Sequence, residues 1–288
     1  MSKTIIEENV RMETLTTYKL KGIVKKVIYP LNEKSLIKII NELKSKNEKF
    51  IILGNGSNII FKDEYYDGTI IKLTKINNLK INKNIITVDA GYSLIKLCHK
   101  AKENNLSGLE ELSGIPATIG GAIYQNASAY NKSISQLIEE LTVLKDNKIV
   151  KIKKEELKFG YRKSIFKKNK NYIILSAKLK LACDNKTNIE QKMKEFYKKR
   201  LEKQPYNYPS AGSVFKNPKN NYAGKIIEEQ GLKGMSVGGA YVSEKHANFI
   251  VNKQSCTGKD IITLIKIIKQ KVKKETNINL KLEQEIIK

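Results

Sequence analysis

Residues 23–29 (IVKKVIY) and 49–53 read as short strands, and SLIKIINELKSK between them repeats its apolar residues at helical spacing. This β-α-β unit is the feature that most narrows the fold, because it excludes all-helical and all-strand architectures at once. It ends at Gly54-Asn55-Gly56-Ser57-Asn58, a glycine turn followed immediately by a second apolar run, IIF. Further strands are predicted at 69–73, 85–89, 141–145, 149–152 and 172–181, with a helix at 93–104. A charged helix with an apolar seam covers 188–204 and runs into PYNYPSAGS, where two prolines stop regular structure. Beyond it the pattern gives a short helix at 222–230, strands at 237–242 and 248–252, a long amphipathic helix at 257–274 and a final strand, INLKLEQEII. The expected class is α+β, with a separate C-terminal lobe.

At 288 residues the chain is long enough for two or three lobes. Cys98, Cys183 and Cys256 form no CxxC or Cys/His cluster, so no zinc site is expected, and they read as buried, reduced thiols of a cytoplasmic protein. The N-terminal stretch mixes acidic with apolar residues, and no apolar run approaches the roughly 20 residues a membrane span needs. Neither a leader nor membrane insertion is expected. The formal net charge of +25 comes mostly from lysine spread along the whole chain, without an aromatic-interleaved basic stripe. General surface basicity is the reading, and no nucleic-acid partner is expected.

Five stretches could carry chemistry. ILGNGSNIIF places a glycine loop after a strand, where backbone N–H groups can face a pyrophosphate, although an ordinary tight turn has the same appearance. It is not the dinucleotide fingerprint, since Ile59 stands where the third glycine would be, and no P-loop pattern occurs. SGIPATIGGAIYQNASAY, 113–130, is dense in small residues poorly suited to packing a helix face; it reads as a loop that surrounds a bulky polar group, or as a close-packed turn. In FGYRKSIF, Arg162 is either a surface cation lying on a ring or a fixed guanidinium for a carboxylate. PSAGSVFKNP holds Ser213. With only two histidines, His99 and His246, and no GxSxG elbow, a nucleophilic serine loses its support. A turn hydroxyl and a proton donor to a strongly basic intermediate remain. In LKLEQEIIK, alternation puts Leu280, Leu282, Gln284 and Ile286 on one face and Lys281, Glu283, Glu285 and Ile287 on the other, either a solvated edge or the seat of a functional acid.

In their order along the chain, NGSNIIF, GIPATIGGAIYQNASAY, YRKS, AGSVFKNP, AGKIIEEQGLKG, GGAYVSEKHANFIVN and a terminal LEQE resemble the UDP-N-acetylenolpyruvoylglucosamine reductase family, in its compact form, over roughly residues 15 to 287. The resemblance implies an FAD-binding domain of two lobes (1–74 and 75–200) of the vanillyl-alcohol-oxidase type, binding FAD between them, and a substrate-binding lobe (201–288). It implies FAD as bound cofactor, NADPH as co-substrate, and reduction of UDP-N-acetylenolpyruvoylglucosamine to UDP-N-acetylmuramate for the cell wall by a monomer. Gly54, Asn55, Gly56, Ser57 and Asn58 would then contact the pyrophosphate, while Gly114, Ile115, Pro116, Thr118, Gly120, Gly121 and Asn126 line the flavin. The flavin N5 hydride would go to C3 of the enolpyruvyl group, Ser213 would protonate C2, and Arg162 and Glu285 would stabilise the enolate. Tyr161, Lys216, Asn217 and His246 would contact substrate. Ala117, Ser128 and Asn131 stand where the family commonly shows glycine. An FAD oxidase of the same fold acting on another alcohol is the alternative enzyme, disfavoured by the AGSVFKNP lobe.

Overall fold

The computed structural model describes residues 4–169 and 171–288; residues 1–3, where the stretch weighed above as a leader begins, lie outside them. Its α-helices are α1 (Glu33–Ser45), α2 (Leu94–Glu103), α3 (Ile119–Gln125), α4 (Lys186–Lys203), α5 (Ala223–Glu229) and α6 (Gly258–Thr276). The chain divides into two compact units that interleave along the sequence. The first holds the residues up to Glu7, Val27–Asn55 and Thr69–Arg200; the second holds Glu8–Lys26, Gly56–Gly68 and Leu201–Lys288.

The first unit is built on a five-stranded antiparallel sheet in the order Lys148–Lys153, Ile138–Lys145, Ile173–Lys180, Ile85–Asp89, Leu79–Asn82. Its strands bury β-branched and leucine side chains, among them Leu141, Val143, Ile174, Leu179, Ile86 and Val88. These share a core with Leu36 and Ile40 of α1, Leu94 and Leu97 of α2 and Ile119 and Ile123 of α3. Helix α1 starts at a capping box in which Asn32 Oδ1 accepts from Ser35 N and Ser35 Oγ accepts from Asn32 N.

The expected strand–helix–strand unit forms, with both of its strands in one sheet. The strands Ile23–Tyr29 and Phe50–Leu53 are not neighbours, because Tyr65–Lys72 lies between them in a sheet ordered 5–11, 23–29, 65–72, 50–53. Phe50–Leu53 pairs with it in parallel, from Phe50↔Thr69 to Leu53↔Lys72. Residues 68–72 are buried on both faces, the condition of a central strand.

The second unit carries a three-stranded antiparallel sheet (Ser236–Val237, Ala240–Val242, Ile250–Asn252), α5 and α6, and a parallel pairing of Ile59–Phe61 with Glu285–Ile287. Helix α6 opens on a Thr257/Asp260 capping box and closes at Asn277, whose φ of 58° makes the left-handed cap. Two predicted strands are shorter than expected. The run 237–242 is a hairpin, turned at Gly238 with φ of 53°. The C-terminal run forms a regular strand only at Glu285–Ile287, and Leu282 makes an isolated bridge to Phe215. The alternation of faces therefore fails: Glu283 and Gln284 are both buried, and the run is no solvated edge.

Two other expectations are corrected. The small-residue stretch 113–130 does contain a helix, α3, because Gly120 lets the helix lie directly on Ala90, whose Cβ would stand 3.0 Å from any Cβ at 120. Cys98 and Cys256 are buried as expected, but Cys183 is exposed, since both residues of its two-residue strand face outward.

Candidate active site

In the first unit the glycine loop and the small-residue stretch come together. Gly54 packs its α-carbon against Thr118, where a Cβ would lie 2.6 Å from the threonine Oγ1, and Asn55 Nδ2 donates to Pro116 O at 3.3 Å. Thr118 caps α3 by accepting from Gly121 N, and Gly121 is exposed. Gly114 closes against Arg200, whose side-chain Cδ would be 2.7 Å from a Cβ there. Residues 54–55 and 114–121 thus bring together bare glycine backbone, an amide and a hydroxyl, with no carboxylate among them. That donor set fits a flavin nucleotide, whose anionic pyrophosphate takes hydrogen bonds from backbone N–H and polar groups and whose ring needs side chains out of its way. Gly56 to Asn58 belong to the second unit. Gly56, at φ of 64°, lies so close to Leu15 that a Cβ would come 2.0 Å from its carbonyl oxygen.

Asn126 ends α3 in the left-handed conformation, φ 46°. Its Nδ2 donates to Gly160 O at 2.9 Å, and its Oδ1 accepts from Ser135 N at 3.3 Å. The amide thereby ties α3 to the YRKS turn. That turn is closed by two hydrogen bonds between the backbones of Gly160 and Lys163, and Ser164 anchors it by donating to Tyr124 O at 2.6 Å. Arg162 sits at its tip with φ of 52°, a region that disfavours non-glycine residues. Its guanidinium donates from Nη1 to Ser128 Oγ at 2.6 Å and lies 5.4 Å from the ring of Tyr161, which is exposed. Ser128 therefore supplies the guanidinium with a hydrogen-bond partner. Asn131 keeps the backbone that a glycine would adopt, φ 65°, which asparagine tolerates better than most residues.

In the second unit Ser213 lies on a short extended segment held from two sides. On one side it bridges Phe249, Val214 N donates to Asn248 O at 2.8 Å, and the Asn248 side chain bonds both backbone groups of Phe215, at 2.9 and 2.8 Å. On the other, Glu283 N donates to Val214 O and Lys216 N to Lys281 O, each at 2.8 Å. Asn217 Oδ1 accepts from Ala223 N at the start of α5. Asn58 Nδ2 donates to Glu283 O at 3.3 Å, and Asn58 O accepts from Glu285 N at 2.9 Å, so the end of the glycine loop sets the register of the strand that carries Glu285.

Two residues central to this frame were not singled out in the sequence: Asn248, in HANF, and Gln284. Their signal was weak, one an amide at the head of an apolar run and the other an amide between two glutamates, and both turn out to be buried at 3% exposure. Arg162 belongs to the first unit, and Ser213, Lys216, Asn217, His246 and Glu285 to the second.

His246 packs its ring 4.8 Å from that of Phe249 and accepts from Asn248 N on Nδ1 at 3.2 Å. Burial lowers its pKa. The neutral form is therefore favoured in the folded state, and as pH falls below the ordinary histidine value of about 6.5 the unfolded chain takes up a proton that the native protein resists. Stability is expected to fall in that window. Melting temperatures of the wild type and His246→Gln, followed from neutral to mildly acidic pH, should show the wild type losing more stability on acidification; parallel profiles would mean that His246 titrates alike in both states.

Residues 204–287 match the model for the UDP-N-acetylenolpyruvoylglucosamine reductase C-terminal domain, and residues 24–152 match an FAD binding domain. A protein of Clostridium tetani named UDP-N-acetylenolpyruvoylglucosamine reductase is 42% identical over 98% of this chain and 92% of its own length. One of the same name from Fervidobacterium nodosum is 43% identical over 94% of this chain and 88% of its own. The solved UDP-N-acetylenolpyruvylglucosamine reductase of Thermus caldophilus superimposes with a TM-score of 0.85 at 33% identity, covering 99% of this chain and 100% of that one. An FAD-binding domain followed by this C-terminal domain, with such likeness over nearly the whole length, makes the chain a member of the UDP-N-acetylenolpyruvoylglucosamine reductase family of FAD-dependent oxidoreductases.

Proposed function

We propose that the chain reduces UDP-N-acetylenolpyruvoylglucosamine to UDP-N-acetylmuramate with NADPH, in the cytoplasm, for peptidoglycan synthesis. The observation that carries this reading is the family likeness along nearly the whole chain, which takes in the segments bearing Arg162, Ser213 and Glu285. The bound FAD would supply hydride chemistry, held by the Gly54–Asn58 loop and by Gly114, Ile115, Pro116, Thr118, Gly120, Gly121 and Asn126.

The protein's own part begins with the substrate carboxylate. As the vinyl group is reduced at C3, negative charge builds on that carboxylate as an enolate, and a donor already fixed in place stabilises it without reorganising. Arg162 supplies one such donor, with its guanidinium restrained by Ser128 and by the ring of Tyr161. Glu285 is the second group that acts at this enolate. The enolate carbon C2 is basic enough to take a proton from a hydroxyl, so Ser213 serves as the acid without a histidine partner. Tyr161, Lys216, Asn217 and His246 position the rest of the substrate.

Incubating the protein with NADPH and the enolpyruvyl sugar should yield a product heavier by H₂, and omission of either reactant should stop NADPH consumption. NADPH consumption at the same rate with UDP-N-acetylglucosamine, which lacks the enolpyruvyl group, would contradict the assignment.

A further inference from the structure

The side chain of Gln284 is 3% exposed and makes three hydrogen bonds, all within the second unit. Its Nε2 donates to Ala211 O at 3.0 Å and to Gly212 O at 3.3 Å, and its Oε1 accepts from the Tyr18 hydroxyl at 3.0 Å. Both donor hydrogens of the amide are thereby directed at the two carbonyls that precede Ser213. Tyr18 is itself fully buried, so its hydroxyl needs this partner, and desolvation holds the phenol in its neutral, donating form. The arrangement has a consequence for Gly212, which takes φ of 73° with nothing within 4 Å of where a Cβ would be. The backbone there has no side chain to wedge it, and the following residues are held by Asn248 and by 281–283. Among the described residues, Gln284 holds the two residues just before the serine, and the bond from Asn252 N to Pro209 O at 2.9 Å holds the chain further upstream.

We infer that Gln284, oriented by Tyr18, is a positioning residue for the Ser213 hydroxyl, and that through its place next to Glu285 in the chain it ties the two proposed catalytic groups to one buried amide. This rests on Ser213 being the proton donor proposed above. An amide suits the task because it is neutral, can serve two acceptors and one donor at once, and introduces no charge beside the carbanion-like carbon.

The test combines Gln284→Leu, which keeps the bulk and removes the three bonds, with Tyr18→Phe, which removes only one, in the full-length holoenzyme. Thr257→Ala, at the cap of α6, is the control for general destabilisation. Gln284→Leu is expected to lower sugar-dependent turnover about 10²-fold, as a misplacement of about 1 Å at a reacting group does, with flavin reduction by NADPH preserved. Tyr18→Phe should give a smaller loss of the same kind, and the control should lower the melting temperature without lowering turnover. Amide hydrogen exchange should quicken across 209–218 in both variants and not in the control. In a Ser213→Ala background Gln284→Leu should add little further loss. Wild-type turnover in Gln284→Leu, unchanged exchange at 209–218, or an equal loss with and without Ser213 would each overturn the inference. If Ser213→Ala alone retains turnover, it is the proton-donor reading that fails, and the exchange result still decides whether Gln284 holds the segment.

Discussion

Ser213→Ala is expected to lower sugar-dependent turnover by roughly 10²–10⁴-fold, the range a positioned general acid contributes, while NADPH reduces the flavin at nearly the wild-type rate. The split between half-reactions follows from the role assigned to the hydroxyl, which acts only when C2 of the substrate has become basic. The substitution itself is mild for the fold. Ser213 is partly buried, and the segment around it is secured by the backbone bonds of Val214, Phe215 and Lys216 and by the Asn248 amide, none of which uses the serine hydroxyl. Stopped-flow measurement of each half-reaction separates the outcomes. Equal loss in both would make Ser213 structural.

Arg162→Met is expected to cost about 10²–10³-fold in kcat, the usual consequence of removing one fixed donor from a developing oxyanion. Methionine keeps the unbranched stem and removes the charge and the planar fork. Arg162→Lys should rescue only part of the loss, because an ammonium on a flexible stem cannot reproduce the fork or its stacking on Tyr161. The left-handed backbone at 162 adds a second consequence: Arg162→Gly relieves the φ of 52° and should leave the melting temperature unchanged or higher while abolishing most activity. Rates and melting temperatures measured on the three variants give a stability–activity split at one residue. Full activity of Arg162→Met would remove the arginine from the chemistry.

The periodic parts of this fold were legible because local pattern determines them. IVKKVIY forms a strand at Ile23–Tyr29, 85–89 forms one at Ile85–Asp89, and the amphipathic run 257–274 forms α6, one residue later at its start and two longer at its end. What stayed hidden is what depends on distant partners. Strand order in the four-stranded sheet was invisible because Tyr65–Lys72 inserts between the two strands of the β-α-β unit. Helix α3 was masked by its own glycines, which lower helix propensity, although one of them, Gly120, is what allows the approach to Ala90. The burial of Glu283 could not be seen from alternation, since 281–283 pairs with 214–216 through an isolated bridge instead of a longer ladder. Among candidate site residues, Arg162 and Ser213 stood out as polar side chains in small-residue or aromatic surroundings. Asn248 and Gln284 did not, because a buried amide and a surface amide look the same in sequence.

In the proposed reaction electrons pass from NADPH to a protein-bound flavin and from there only to the enolpyruvyl sugar. Its most direct test is the absorbance spectrum of the purified protein under anaerobic conditions, first with one equivalent of NADPH and then with one equivalent of UDP-N-acetylenolpyruvoylglucosamine. The flavin bands should bleach with the first addition and return with the second, and UDP-N-acetylglucosamine should not restore them. A colourless protein that cannot be reconstituted with FAD, or bleached bands that the enolpyruvyl sugar fails to restore, would contradict the account.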